Sequence, residues 1–340
     1  MHAEAVYSGD TMSLNAPIAI VDEDDSPLSA SIISAFYPPR FKRPQMISQP
    51  MIDSGMDAGD FTFVMDIPPN FQRDVLAGKS PSIQLNVDAT RMSQAFTGSS
   101  YIQLMSIDEV TEFAQRRKVT TQAAVGLALR ARFNPNLEQA WFGSLMEIIN
   151  NVTMLSIILT GAALIREREH GTIEHLLVIP VTPTEIILAK VWSMGTVVLL
   201  AAGLSLVVVV QGMLHVPIEG SVSLFLAGTA LHLFATTSLG IFMATQASSM
   251  PQFGILAVLV MMPLQLLSGN ATARESMPDF IQTLMLIAPT THFVTIGQAI
   301  LFRGAGVAVV WPSFLALLLI GGTFFLVAPN RFRRSISQMV

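Results

Sequence analysis

Arg166-Glu167-Arg168-Glu169-His170-Gly171-Thr172-Ile173-Glu174-His175-Leu176-Leu177 is a dense charge cluster between two apolar runs, residues 142–165 and 186–210. A hydrocarbon core about 30 Å thick takes ~20 helical residues to cross, so each run is long enough to span it. The cluster therefore sits at a membrane surface. Ile173, Leu176 and Leu177 fall at i, i+3 and i+4, while Glu167, Glu169, His170 and Glu174 supply a polar side. This predicts a short amphipathic helix, closed by Pro180 and Pro183. Two readings follow: a docking handle for a soluble partner, or a solvated loop whose basic residues only set topology.

Three more apolar runs lie downstream, near residues 223–245, 250–267 and 305–327. Residues 278–287 and 290–302 are apolar but each too short to cross, and Pro289 divides them. The pattern predicts two interfacial or re-entrant half-helices at the outer surface, with a single kinked span as the alternative. Arg166, Arg168 and Lys190 flank the first loop, and Arg331, Arg333 and Arg334 follow the last span; the loop 211–222 carries neither Lys nor Arg. Five spans put both basic ends on one side, which the positive-inside rule makes the cytoplasm.

Residues 16–136 differ in kind. Short β-rich runs near 17–21, 45–48, 61–65, 82–87 and 127–133 alternate with helical stretches near 28–36, 51–58, 71–77 and 92–118, the last either continuous or broken near Gly98. Ser26 and Pro27 fit an N-cap and a first helical position. The fold class is thus an α-helical polytopic membrane domain (137–340) behind an N-terminal α/β domain (16–136), preceded by a polar tail (1–15). The spans' topology makes the α/β domain extracytoplasmic.

Composition agrees. Hydrophobic residues make up 51% and charged residues 13% of 340, and a mean hydropathy of +0.54 favours a membrane protein in contact with lipid. A net charge of −5, with no basic stripe, gives no support for nucleic acid. Zero cysteines exclude disulfides and thiolate metal sites. Gly78-Lys79-Ser80 resembles the end of a phosphate-binding loop, but Arg73 stands where the pattern requires glycine and the segment follows a helix. It reads as a helix cap, so ATP and Mg belong on another subunit and no cofactor or metal is expected on this chain. His170, Glu174 and His175 lack the spacing of a zinc site.

Ionisable groups are scarce within the spans, which argues against an ion-coupled carrier. Glu147, Asn150 and Asn151 lie near the outer end of the first run, where they either line a pathway mouth or simply sit at the interface. Pro289, Thr290 and His292 are the matching outer-gate candidates. His232, Thr229, Thr236 and Thr237 read as an interhelical hydrogen-bond seam, with a substrate site as the alternative. Gly161, Ala201–Gly203, Gly321 and Gly322 mark close helix packing.

The stretch 163–177 with Pro180-Val181-Thr182-Pro183-Thr184-Glu185-Ile186 resembles the signature of type-2 ABC exporter permeases, as does Ala288-Pro289-Thr290-Thr291-His292-Phe293. The group most similar is the bacterial drug-efflux-like permeases with a large extracytoplasmic domain. The resemblance implies export of drugs or other amphipathic compounds through the plasma (inner) membrane, by a permease that catalyses no chemistry. It implies an ABC ATPase subunit docked on Glu167, Glu169, His170, Gly171, Thr172, Glu174 and Leu177. A second permease copy or paralogue and a periplasmic adaptor are the other partners implied. The family also carries a span ahead of its outer domain, and residues 1–16 hold neither a span nor a signal; an upstream apolar segment of roughly 20 residues is expected. The rival reading is a membrane-anchored sensor or scaffold.

Overall fold

The computed structural model describes residues 16–36, 41–90, 92–116, 126–132, 139–170, 182–269, 274 and 277–337. The chain forms two compact units: residues 1–139 with 275–278, and residues 140–274 with 279–340.

The first unit is built on a five-stranded sheet of order β2-β1-β3-β4-β5. Its strands are β1 (Ile18–Asp22), β2 (Gln45–Met46), β3 (Phe63–Ile67), β4 (Ser82–Asp88) and β5 (Gly126–Arg132). Only β3 and β4 pair antiparallel; the other neighbours are parallel. Alternation sorts the side chains. Ile18, Ile20, Phe63, Met65, Ile67, Ile83, Leu85 and Val87 face one core. That core is covered by α1 (Pro27–Ala35), α3 (Phe71–Leu76) and α4 (Met92–Arg116), through Leu28, Ile32, Phe71, Val75, Ile102 and Val110. Ala19, Val21 and Val64 face the other side and meet Ile52 and Met56 of α2 (Met51–Ala58). Arg132 of β5 reaches across that side to Asp53 and, at 2.7 Å, to Asp57 of α2.

Local chemistry explains the element ends. The Ser26 hydroxyl accepts from Ser29 N, and Ser29 Oγ accepts from Ser26 N, a reciprocal cap with Pro27 in the first turn. Gly78, at φ 70°, ends α3: Gly78 N–H donates to Val75 O and Lys79 N–H to Asp74 O, the paired bonds of a left-handed C-cap. The Lys79 ammonium lies 3.1 Å from Asp74. The Gly-Lys-Ser segment is a helix end, as its sequence context predicts.

The second unit is helical. It contains α5 (Gln139–Glu169), α6 (Pro183–Leu204, continued as a π-helix over Ser205–Met213), α7 (Val222–Ala244) and α8 (Met250–Leu266). Then come α9 (Asp279–Leu284, with a 3-10 turn Met285–Ile287), α10 (Pro289–Gly297, continued as a π-helix over Gln298–Phe302) and α11 (Val307–Ser337). Among the described residues, four are long and apolar enough to cross a membrane, through Trp141–Glu169, Thr184–Met213, Val222–Ala244 and Val307–Pro329. The fourth expected run forms only the 17 residues of α8, shorter than a full crossing at 1.5 Å per residue. The divided apolar stretch is a bent pair, Asp279–Ile287 and Pro289–Phe302, at 94°. It supplies a fifth span only if the two halves count as one.

The helices are not equivalent. In their most apolar windows α7 is 67% buried and α5 56%, against 22% for the α6 span and 17% for the α11 span. α5 and α7 form the middle, and α6 and α11 present apolar faces outward. Glycines let the middle close up. A Cβ on Gly240 of α7 would lie 2.7 Å from Ile157 O of α5, and one on Gly161 of α5 would lie 2.1 Å from the Phe253 ring of α8. Gly321 is equally tight against Phe234, whereas Gly322 faces open space.

Candidate functional site

α5 carries the candidate residues at three heights. Glu147 and Glu167 are 20 residues apart, about 30 Å along the axis at 1.5 Å per residue, with Thr153 and Ser156 between them.

At the C-terminal end the helix does not stop where the apolar run stops. Arg166–Glu169 are its last turn, and His170 N–H and the His170 ring both reach Arg166 O, at 3.0 and 2.8 Å. Of the expected amphipathic helix, Arg166–Glu169 belong to the span's own helix, and residues 171–177 lie outside the described residues. Its charged side chains are largely engaged within the unit. Glu167 pairs with Lys190 of α6. Glu169 Oε1 accepts from Met250 N, at the first residue of α8, at 2.9 Å. Arg168 donates to Ala247 O, ahead of α8. Gly171, Thr172, Glu174 and Leu177 lie outside the described residues. Thr182 caps α6: its hydroxyl accepts from Glu185 N and its own N–H donates to Glu185 Oε2 at 2.7 Å, with Pro183 opening the helix. Pro183 is thus a helix starter.

Midway along α5, Thr153, Ser156 and Thr160 fall at i, i+3 and i+7 and are all buried. Thr229, His232 and Thr236 of α7 repeat the same spacing and are also buried; His232 and Thr236 meet α5, whereas the hydroxyls of Thr160, Thr229 and Thr237 donate to carbonyls of their own helices. His232 Nε2 lies 2.8 Å from Thr153 Oγ1, and Ser156 Oγ donates to Thr236 Oγ1 at 2.7 Å. Thr153 Oγ1 also lies 2.8 Å from Ile149 O on its own helix. This is the interhelical seam expected around His232. Its α5 half was missed from sequence, although the matching i, i+3, i+7 spacing of hydroxyls was there to find. The His232 ring also stacks on Phe293 of α10, centroids 4.1 Å apart, which ties the bent pair to the seam.

Near the N-terminal end of α5, Glu147 is exposed and accepts from Asn151 Nδ2 at 3.1 Å; Asn150 is half-buried. The structure brings Pro289 and Thr290 into packed interior, not to a surface. Thr290 Oγ1 donates to Leu264 O of α8 at 3.3 Å. His292 Nε2 lies 2.8 Å from Leu286 O, across the bend between the two halves.

In the first unit the acidic turn after β1 is occupied by its own fold. Asp22 Oδ1 accepts from Asp24 N and Asp25 N, Asp22 Oδ2 accepts from Ser29 Oγ at 2.7 Å, and Asp24 Oδ2 accepts from Gln72 N.

Comparison with known proteins fits this geometry. The family described as "ABC-2 family transporter protein" matches residues 6–328. "Inner membrane transport permease YhhJ" of Escherichia coli (strain K12) is 61% identical over 339 residues, covering 98% of this chain and 91% of that protein. "Probable multidrug ABC transporter permease YbhR" of the same organism is 28% identical over 326 residues, covering 95% and 87%. "Probable multidrug ABC transporter permease YbhS" is 27% identical over 253 residues, covering 73% and 66%.

Proposed function

The chain belongs to the ABC-2 family of transporter proteins, and on that premise we propose that it is the permease subunit of an ATP-driven exporter in a bacterial inner membrane. A separate ABC ATPase subunit supplies the energy, two permeases share the pathway, and the cargo is drugs or other amphipathic small molecules. The relatives' names, an inner membrane transport permease and probable multidrug ABC permeases, support the location and the cargo class.

One observation carries the mechanism. α5 runs unbroken from the hydroxyl seam at its middle to the charged turn Arg166–Glu169, which leads into residues 171–181. A soluble motor pressing on that connection acts on a rigid rod, because a helix transmits displacement along its axis. The rod's other end is packed against α7, which in turn holds α10 through His232 and Phe293. ATP-driven closure of the motor then shifts α5 and α7 between two packings, one open to each side. The basic ends at Arg166, Arg168, Lys190 and Arg331 face the cytoplasm with the motor, and the α/β unit lies outside.

The test is co-purification of the tagged permease with a candidate ABC ATPase subunit from the same cells, followed by ATP hydrolysis with and without candidate drugs. A stable complex whose hydrolysis responds to a drug is the expected result. A permease that retains no ATPase contradicts the reading.

A further inference from the structure

We propose that Glu167 and Glu169 are not docking residues for the motor but positioning residues, two arms that lock the end of α5 to α6 and α8. The inference deepens the coupling reading above and rests on it. It starts from where the two carboxylates point. Glu167 is half-buried and turned toward Lys190, whose side chain keeps only 12% of its exposure. An ammonium that enclosed has Glu167 as its charge partner, so the pair fixes α6 against α5. Glu169 faces the opposite way. Its Oε1 takes the Met250 N–H, one of the first N–H groups of α8, which have no partner inside their own helix. Negative charge there also meets the positive end of the α8 dipole. Arg168 adds a third contact at Ala247 O, next to the same helix start.

The contacts therefore run from one turn of α5 to two other apolar helices. α6 is the helix that leaves the coupling connection, and α8 begins only at Met250, 81 positions along the chain from Glu169. The clamp makes α5, α6 and α8 respond as one body when residues 171–181 are pushed. Docking is left to the part of the stretch beyond His170.

The cysteine-free sequence allows a direct test. Cysteines replacing Leu155 on α5 and Val258 on α8, both exposed, carry spin labels in the permease–ATPase complex in nanodiscs. Their separation is measured without nucleotide and with ATP and vanadate. In the otherwise wild-type chain the separation stays the same in both states. Glu169→Ala makes it change with nucleotide, and Glu169→Gln, which keeps a carbonyl acceptor for Met250 N–H, restores constancy. Glu167→Gln and Glu169→Ala both keep wild-type amounts of ATPase in a pull-down. The exchange Glu167→Lys with Lys190→Glu recovers the wild-type melting temperature lost in Glu167→Lys alone. Loss of the ATPase from Glu169→Ala or Glu167→Gln would make these residues docking contacts and overturn the proposal, as would a constant separation in Glu169→Ala. Glu174→Lys reports on the docking reading separately: if that variant keeps its ATPase, docking at this stretch fails while the distance measurement still decides the clamp.

Discussion

At the scale of single residues, Asp66 of β3 shows how burial writes a pH dependence. Its carboxyl is pushed above the usual carboxylate range, first by burial and then by the nearby Glu23 carboxylate, against a lowering hydrogen bond from Gln49. The folded chain then holds that proton more tightly than the unfolded chain does. Stability is therefore greatest below the ordinary carboxylate pKa and falls as pH rises through the raised folded value. Asp66→Asn removes that loss: its unfolding midpoint exceeds wild type at pH 7, and the difference shrinks toward pH 4. Urea denaturation of the full chain in detergent, at both pH values, checks the sign. Residue chemistry was legible in sequence where the signal is local, as at Ser26 and Pro27, read as an N-cap and a first helical position; the equally local cap of Thr182 with Glu185 was missed. It was not where the partner is remote: Lys190 lies 23 positions from Glu167 and Met250 lies 81 from Glu169, and no periodicity reports such a pairing.

At the scale of elements, the sheet and most of its helices could be read from alternation and punctuation, and α2 from Met51 to Ala58 emerged with the expected ends. α4 shows what packing decides instead. Sequence left open a break at Gly98, yet α4 is one helix, and a Cβ at Gly98 would lie 2.3 Å from the Phe63 ring. The glycine is there to admit Phe63, at a helix-propensity cost of about 1 kcal/mol. The same reasoning separates glycines in the membrane helices. At Gly240 the obstacle is Ile157 O, backbone that cannot rotate away. Gly240→Ala therefore destabilises by about 1–3 kcal/mol as an overpacked contact. Gly195 has nothing within 4 Å of its Cβ position, so Gly195→Ala is neutral or stabilising by up to about 1 kcal/mol. Thermal unfolding of the two variants in detergent distinguishes them. Both losing stability alike would show that the α5–α7 contact is not specifically packed.

At the scale of the whole molecule, architecture was legible because the apolar runs are long-range composition signals, whereas the family came from the resemblance of 163–186 and 288–293 to a known signature. The 94° bend at Pro289 followed from two short runs divided by proline. The shortness of the α8 run was already visible in its apolar positions, 250–267, which begin beside Pro251. α5 continuing through its charged turn did not follow, since it depends on where helical hydrogen bonding stops and not on hydropathy. The account's central claim is that residues 171–177 carry a separate ATPase. The most direct measurement places a cysteine at Glu174 or at His292 in the cysteine-free chain, in native membranes with the partner ATPase, and adds a bifunctional maleimide. Cross-linking of the ATPase through position 174, with none through position 292, is the result predicted. A cross-link through 292, or none through 174, would contradict it.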